Sequence, residues 1–166
     1  MLPSRALRPA QEAPLAPARP LIVGRSAALL AICELAERVA AGDAKVLITG
    51  ESGVGKDLVA RLIHFHSSRA AQPYIAVNCA GVPETLLESQ IFGHVKGAFT
   101  DAYRDKAGIL QQAHNGTVFL DEVAEMSLRM QAMLLRFLEN GEIQPVGSDL
   151  VKTQVDVRVI AATNVD

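Results

Sequence analysis

Four short runs in this chain are apolar at successive positions instead of alternating with polar residues: Lys45-Val46-Leu47-Ile48-Thr49, Tyr74-Ile75-Ala76-Val77-Asn78, Thr117-Val118-Phe119-Leu120, and residues 157–162. Strands of that kind are covered on both faces, as in parallel sheets. The segments between them follow the helical period. Residues 27–39 gather Leu29, Leu30, Ile32, Cys33, Leu35, Ala36 and Val39 on one broad face, and Gly42 ends the helix. A second helix runs from Leu58 to about Ser67, and Pro83 opens a third that carries Leu86, Leu87, Ile91 and Phe92. Residues 106–113 make a short fourth. Ser127 caps a fifth that reaches Asn140, with Met130, Met133, Leu134, Phe137 and Leu138 facing the core, before Gly141 stops it and a polar, hairpin-like stretch follows. Strands alternating with helices predict an α/β fold with a parallel sheet covered by helices. Residues 93–102 obey neither period and are predicted to form an exposed loop, with Phe99 among small and polar neighbours.

Composition narrows the class. At 166 residues with 49% hydrophobic content the chain suits one domain, and a net charge of −2 gives no general attraction to nucleic acid. No apolar run approaches a membrane span. Residues 1–20 hold five of the eight prolines and read as a disordered leader or linker, with the ordered domain at 21–166. Cys33 and Cys79 form no Cys-x-x-Cys pair, lie in apolar contexts and read as reduced, buried thiols of a cytosolic protein. His64 and His66, two apart on a helix, point in different directions, and His94 and His114 have no neighbouring ligand residue. All four read as surface or packing histidines.

The chemistry gathers where strands end. Between the first strand and its helix lies Gly50-Glu51-Ser52-Gly53-Val54-Gly55-Lys56-Asp57, in the strand, loop and helix order of a phosphate-binding loop. Its glycines let backbone N–H groups approach phosphate oxygens, the helix start adds partial positive charge, and Lys56 adds a full one. Asp57 occupies the place where a Ser or Thr hydroxyl ordinarily holds Mg2+, and a carboxylate there needs a metal or a water between itself and the phosphates. Ligands of parallel sheets sit at the carboxyl ends of the strands, which brings Asn78, Asp121, Glu122 and Asn164 to the same rim. Asp121 is assigned to the metal and Glu122 to the attacking water. Asn164 suits a γ-phosphate and Asn78 a hydrogen bond to Glu122, although both also suit a turn.

The phosphate loop, the segment Gly97-Ala98-Phe99-Thr100-Asp101-Ala102, the run Gly116-Thr117-Val118-Phe119-Leu120-Asp121-Glu122, and Val157-Arg158-Val159-Ile160-Ala161-Ala162-Thr163-Asn164 occur in that order. In this the chain resembles the AAA+ ATPase domain of bacterial enhancer-binding proteins that activate sigma-54 RNA polymerase. The likeness covers residues 21–166, and its most specific element is the loop at 97–102. It implies a P-loop AAA+ sheet with helices on both faces, binding ATP with Mg2+. It further implies that Asp121 and Glu122 are the Walker B pair, that Asn78 switches the catalytic glutamate, and that Asn164 is sensor I. An acidic residue after the loop lysine, here Asp57, is common in the family. Phe99 and Thr100 are implied to touch sigma-54 when ATP is bound, and Asp101 stands where the family usually has glycine. Family members continue past sensor I with a fifth strand, arginines that reach a neighbouring subunit, a helical lid and usually a DNA-binding domain. Without that strand, residues 45–49 are expected at a sheet edge. The resemblance implies a cytoplasmic bacterial transcription activator that assembles into rings, partners sigma-54 RNA polymerase, meets DNA through another domain and has no membrane association. The alternative is a truncated chain that binds nucleotide or partner subunits without turnover, and residues 97–102 disfavour an unrelated AAA+ remodelling factor.

Overall fold

The computed structural model describes residues 20–150 and 153–164, so the leader expected at 1–20 lies outside the described residues except for Pro20. Four strands form the main sheet: β1 (Val46–Thr49), β2 (Tyr74–Asn78), β5 (Thr117–Asp121) and β8 (Arg158–Thr163). Their order is β1-β8-β5-β2 and every pairing is parallel, so all four carboxyl ends lie on one rim. The pleat divides the apolar strand residues between two cores. Phe119, Ile160 and Ala162 pack with Ala36 and Ala40 of α1 (Ala27–Ala40) and with Ala60, Leu62 and Ile63 of α2 (Lys56–Phe65). Val118, Leu120 and Val159 face the other way. They pack with residues of α3 (Glu84–Phe92), α4 (Ile109–Gln112) and α5 (Leu128–Asn140). This is the helix-covered parallel sheet that the apolar runs predict.

The helix ends follow their capping residues. The Ser26 side chain accepts from Leu29 N, the Ser127 side chain accepts from Met130 N, and Gly141 closes α5 at φ 73°. At the amino ends of the strands Arg158, 2% exposed, donates from Nη2 to Val39 O at 2.8 Å, from Nη1 to Ala40 O and from Nε to Ala44 O, both at 3.3 Å. A buried guanidinium thus satisfies carbonyls at the end of α1 that have no partner inside the helix. Burial lowers the Arg158 pKa, as expected of a charge taken from water. Arg69 fixes the same end of the sheet by pairing with both Asp43 at 2.7 Å and Asp156 at 2.8 Å.

Three expectations change. Residues 93–102 are not simply an exposed loop, because Gly93–His94 forms a short buried strand, β3, paired antiparallel with β4 (Lys106–Ala107). Strand β4 occupies what was expected to be the first turn of the fourth helix, which begins only at Ile109. Two-residue strands leave no periodicity to detect. On α1, Leu30, Ile32 and Leu35 are 51%, 46% and 51% exposed, so the broad apolar face is covered only in part. The polar stretch after α5 is the expected hairpin, β6 (Glu142–Ile143) against β7 (Thr153–Gln154).

Candidate functional site

Residues 50–57 connect β1 to α2 at the carboxyl rim. Gly53 and Gly55 hold φ values of 79° and 90°, a left-handed backbone that other residues rarely adopt, so the tight loop requires glycine at both. Glu51, Ser52, Gly53 and Val54 are exposed on its crest, and Asp57 is exposed on the first turn of α2. Lys56 behaves otherwise. It is 7% exposed, and its Nζ donates back to Gly50 O at 2.9 Å and Glu51 O at 3.0 Å. The loop is therefore a closed cradle with its ammonium group drawn inside. Gly55 leads α2 without a side-chain cap, which leaves the helix start suited to an anion.

Backbone hydrogen bonds tie the end of β8 to this loop and the ends of β2 and β5 to each other. Gly50 N donates to Thr163 O at 3.3 Å, and Cys79 N donates to Asp121 O at 2.9 Å. Asn78 lies level with Asp121 in the β2–β5 register, and Thr49 with Thr163 in the β1–β8 register. Asp121 Oδ1 accepts from Glu122 N at 3.0 Å. Glu122 itself sits at φ 55° and ψ 47°, costly for a residue with a β-carbon, and its Oε2 is buried without a hydrogen-bond partner. Asn164 is exposed directly after β8. The sheet thus gathers Gly50 to Asp57, Asn78, Asp121, Glu122 and Asn164 on one rim. One expected contact differs: Asn78 Oδ1 accepts from Ala80 N at 2.8 Å, closing a turn, where a bond to Glu122 was expected. An Asn at a strand end followed by a tight turn meets its own backbone first. Beneath the rim Cys79 is buried, and desolvation followed by the Asp121 charge pushes its thiol up to about 12, which makes it an inert packing group.

Residues 97–102 extend from the β3–β4 pair. Gly97 N donates to Ala102 O at 2.8 Å and Ala102 N to Phe99 O at 3.0 Å, which closes the segment into a tight loop with Thr100 and Asp101 exposed and Ala102 buried. Phe99 is half-buried and meets the His94 ring edge-on, with centroids 4.9 Å apart. Sequence reasoning missed this pair because His94 had no visible partner. It also missed two links between α3, which leads into the loop, and the start of α5, which follows Glu122. These are Arg129 Nη2 donating to Glu88 Oε1 at 3.0 Å and Ser127 Oγ donating to Glu84 Oε1.

The parallel sheet and the glycine-rich loop between β1 and α2 define a phosphate-binding-loop α/β domain. A family model described as the Sigma-54 interaction domain matches residues 22–166. The anaerobic nitric oxide reductase transcription regulator NorR of Klebsiella pneumoniae is 53% identical over 150 residues, covering 90% of this chain and 29% of its own length. The hydrogenase transcriptional regulatory protein HoxA of Cupriavidus necator is 55% identical over 134 residues, covering 81% of this chain and 28% of its own. Among solved structures, NtrX from Brucella abortus in complex with ADP superposes with a TM-score of 0.78 at 39% identity, covering 88% of this chain and 31% of that one. The chain belongs to the sigma-54 interaction domain family of transcription activators, with the AAA+ fold. It spans less than a third of the length of these relatives.

Proposed function

We propose that residues 50–57 bind the phosphates of ATP and that the whole protein couples ATP hydrolysis to the remodelling of RNA polymerase holding sigma-54. The observation that carries this reading is the buried Lys56 ammonium, folded into the cradle at the same rim as the unpartnered carboxylate oxygen of Glu122. A nucleotide phosphate would replace the loop carbonyls as the partner of Lys56, exchanging neutral acceptors for charged ones. Asp121, with Asp57 on the facing turn, would hold Mg2+, which when bound supplies charge neutralisation at the phosphates. Glu122 would orient the attacking water, Asn78 would govern Glu122 by exchanging its turn contact for the carboxylate, and Asn164 would report the terminal phosphate.

Residues 97–102 would carry the contact with sigma-54, and the Glu88–Arg129 and Glu84–Ser127 links offer a physical path from the Walker B strand to that loop. NtrX from Brucella abortus has been crystallised with ADP and with ATP, which supports a nucleotide in the same fold. Among the described residues no helix is long and apolar enough to cross a membrane, and the reading places the protein in the cytoplasm, assembled into a ring and touching DNA through another domain. Titration calorimetry with ATP and Mg2+ tests the first step. Lys56→Ala should lose about tenfold or more in affinity, the worth of a charge-assisted contact of ~1.5–3 kcal/mol. Equal affinities for the two proteins would remove Lys56 from the site.

A further inference from the structure

The half-buried Phe99 ring rests on a histidine that is itself held from two sides. His94 is 8% exposed, its backbone lies in β3 against Lys106 of β4, and Ser89 Oγ from the last turn of α3 hydrogen-bonds its Nδ1 at 2.6 Å. The segment beneath it is equally fixed. Val95 N donates to Val146 O at 3.1 Å, Val146 N donates to Gly93 O at 2.9 Å, and a β-carbon on Gly93 would lie 2.5 Å from Lys106 O. The base of the loop therefore has little freedom, while the Phe99 ring borders an open groove of about 500 Å3 that is also lined by His94, Leu86, Tyr103 and Arg104. The element able to change place is the ring. It meets His94 at an interplanar angle of 67°, the edge-to-face arrangement that aromatic quadrupoles favour.

We propose that His94, locked by Ser89, is a positioning residue that stows Phe99, so that any partner captured through Phe99 must first draw the ring off His94. The partner part of this inference rests on the sigma-54 reading, whereas the stowing is a property of the chain alone. Removing the His94 ring raises the population of free Phe99 and so raises the apparent affinity for the partner, because binding no longer competes with the stowed state. The expected rise is about two- to tenfold, the population change that follows the loss of one edge-to-face ring pair.

The test incorporates 4-fluorophenylalanine, identifies the Phe99 fluorine resonance by its absence in Phe99→Leu, and records it for the parent, His94→Ala, Ser89→Ala and His94→Phe. Nucleotide affinity serves as the folding control. In His94→Ala the resonance should move toward the solvent-exposed position. It should move less in Ser89→Ala, which keeps the ring but loosens it, and return in His94→Phe, which restores an aromatic surface. Ser89→Ala carries the test by itself if His94→Ala does not fold. Capture of sigma-54 with a non-hydrolysable ATP analogue is measured in parallel, and stronger capture by His94→Ala supports the proposal. A Phe99 resonance that stays in place in every variant overturns the proposal, as does weaker capture by His94→Ala at unchanged nucleotide affinity. If the resonance moves as expected and no variant captures sigma-54, the stowing stands and the partner reading falls.

Discussion

Glu122 combines a left-handed backbone, a buried oxygen without a partner and an aspartate immediately before it, a costly arrangement that supports the role proposed for it. Adjacent carboxylates after an apolar strand made Asp121 and Glu122 legible in the sequence, but the backbone strain was not, because nothing in Asp121-Glu122-Val123 requires a positive φ. The role proposed for Glu122 predicts that Glu122→Gln in the whole protein retains ATP binding while turnover falls on the order of a hundredfold. Unchanged turnover would remove Glu122 from the mechanism. His64 shows the opposite case, an ionisable residue used for packing. It is fully buried, its Nδ1 lies 2.9 Å from Thr117 Oγ1, and its pKa is lowered from the ordinary 6.5, first by burial and then by the Arg158 charge. Below about pH 6.5 the unfolded chain takes up a proton that the folded chain refuses, so this group's contribution to stability is complete above that pH and declines as pH falls below it. Melting curves between pH 7.5 and pH 5.5 should show a loss that is smaller in His64→Gln, and equal slopes for the two proteins would contradict the assignment.

Elements were readable to the extent that a single segment carries its own period. The four long strands and α5 do so; β5 and β8 are buried on both faces as patterned, whereas Leu47 of β1 and Ala76 of β2 stay exposed. Strands β3 and β4 do not, since each is two residues long and owes its existence to Gly93, whose missing β-carbon lets the Lys106 backbone approach. An apolar pattern also says that a face suits burial without saying what covers it, which is why Leu30, Ile32 and Leu35 of α1 remain exposed. Arg158 was hidden for a related reason. Its position in an apolar run gave no sign that the end of α1 passes within reach of its guanidinium. Arg158→Met should keep most of the packing volume yet strip the carbonyls of Ala40 and Ala44 of their guanidinium donor and leave Val39 O with Gly42 N alone. The expected cost is ~1–3 kcal/mol of stability by chemical denaturation, the range for leaving a buried polar group unsatisfied. A midpoint equal to the parent's would show that water serves those carbonyls equally well.

At the scale of the molecule, the sheet gathers the phosphate loop, Asn78, the Asp121–Glu122 pair and Asn164 on one rim, and α3 leads into the segment that holds Phe99. The rim could be inferred from the sequence because parallel strands must end together. The stowed Phe99 could not, because it depends on His94 and Ser89 meeting through a turn of unknown shape. Along the sheet's width β1 is an outer strand among the described residues, as expected for residues 45–49. Its Leu47 is 61% exposed. The proposed activity requires communication between rim and loop, so the two must be separable by mutation. Phe99→Ala should leave ATP affinity near that of the parent, because the half-buried ring packs on His94 and not on the phosphate loop. The most direct measurement is a pull-down of sigma-54 by the protein with and without a non-hydrolysable ATP analogue, comparing the parent with Phe99→Ala. Capture by the parent only with the analogue, and none by Phe99→Ala, is the expected result. Capture that is independent of nucleotide, or undiminished without the ring, would contradict a sigma-54 contact made through this loop under the control of ATP.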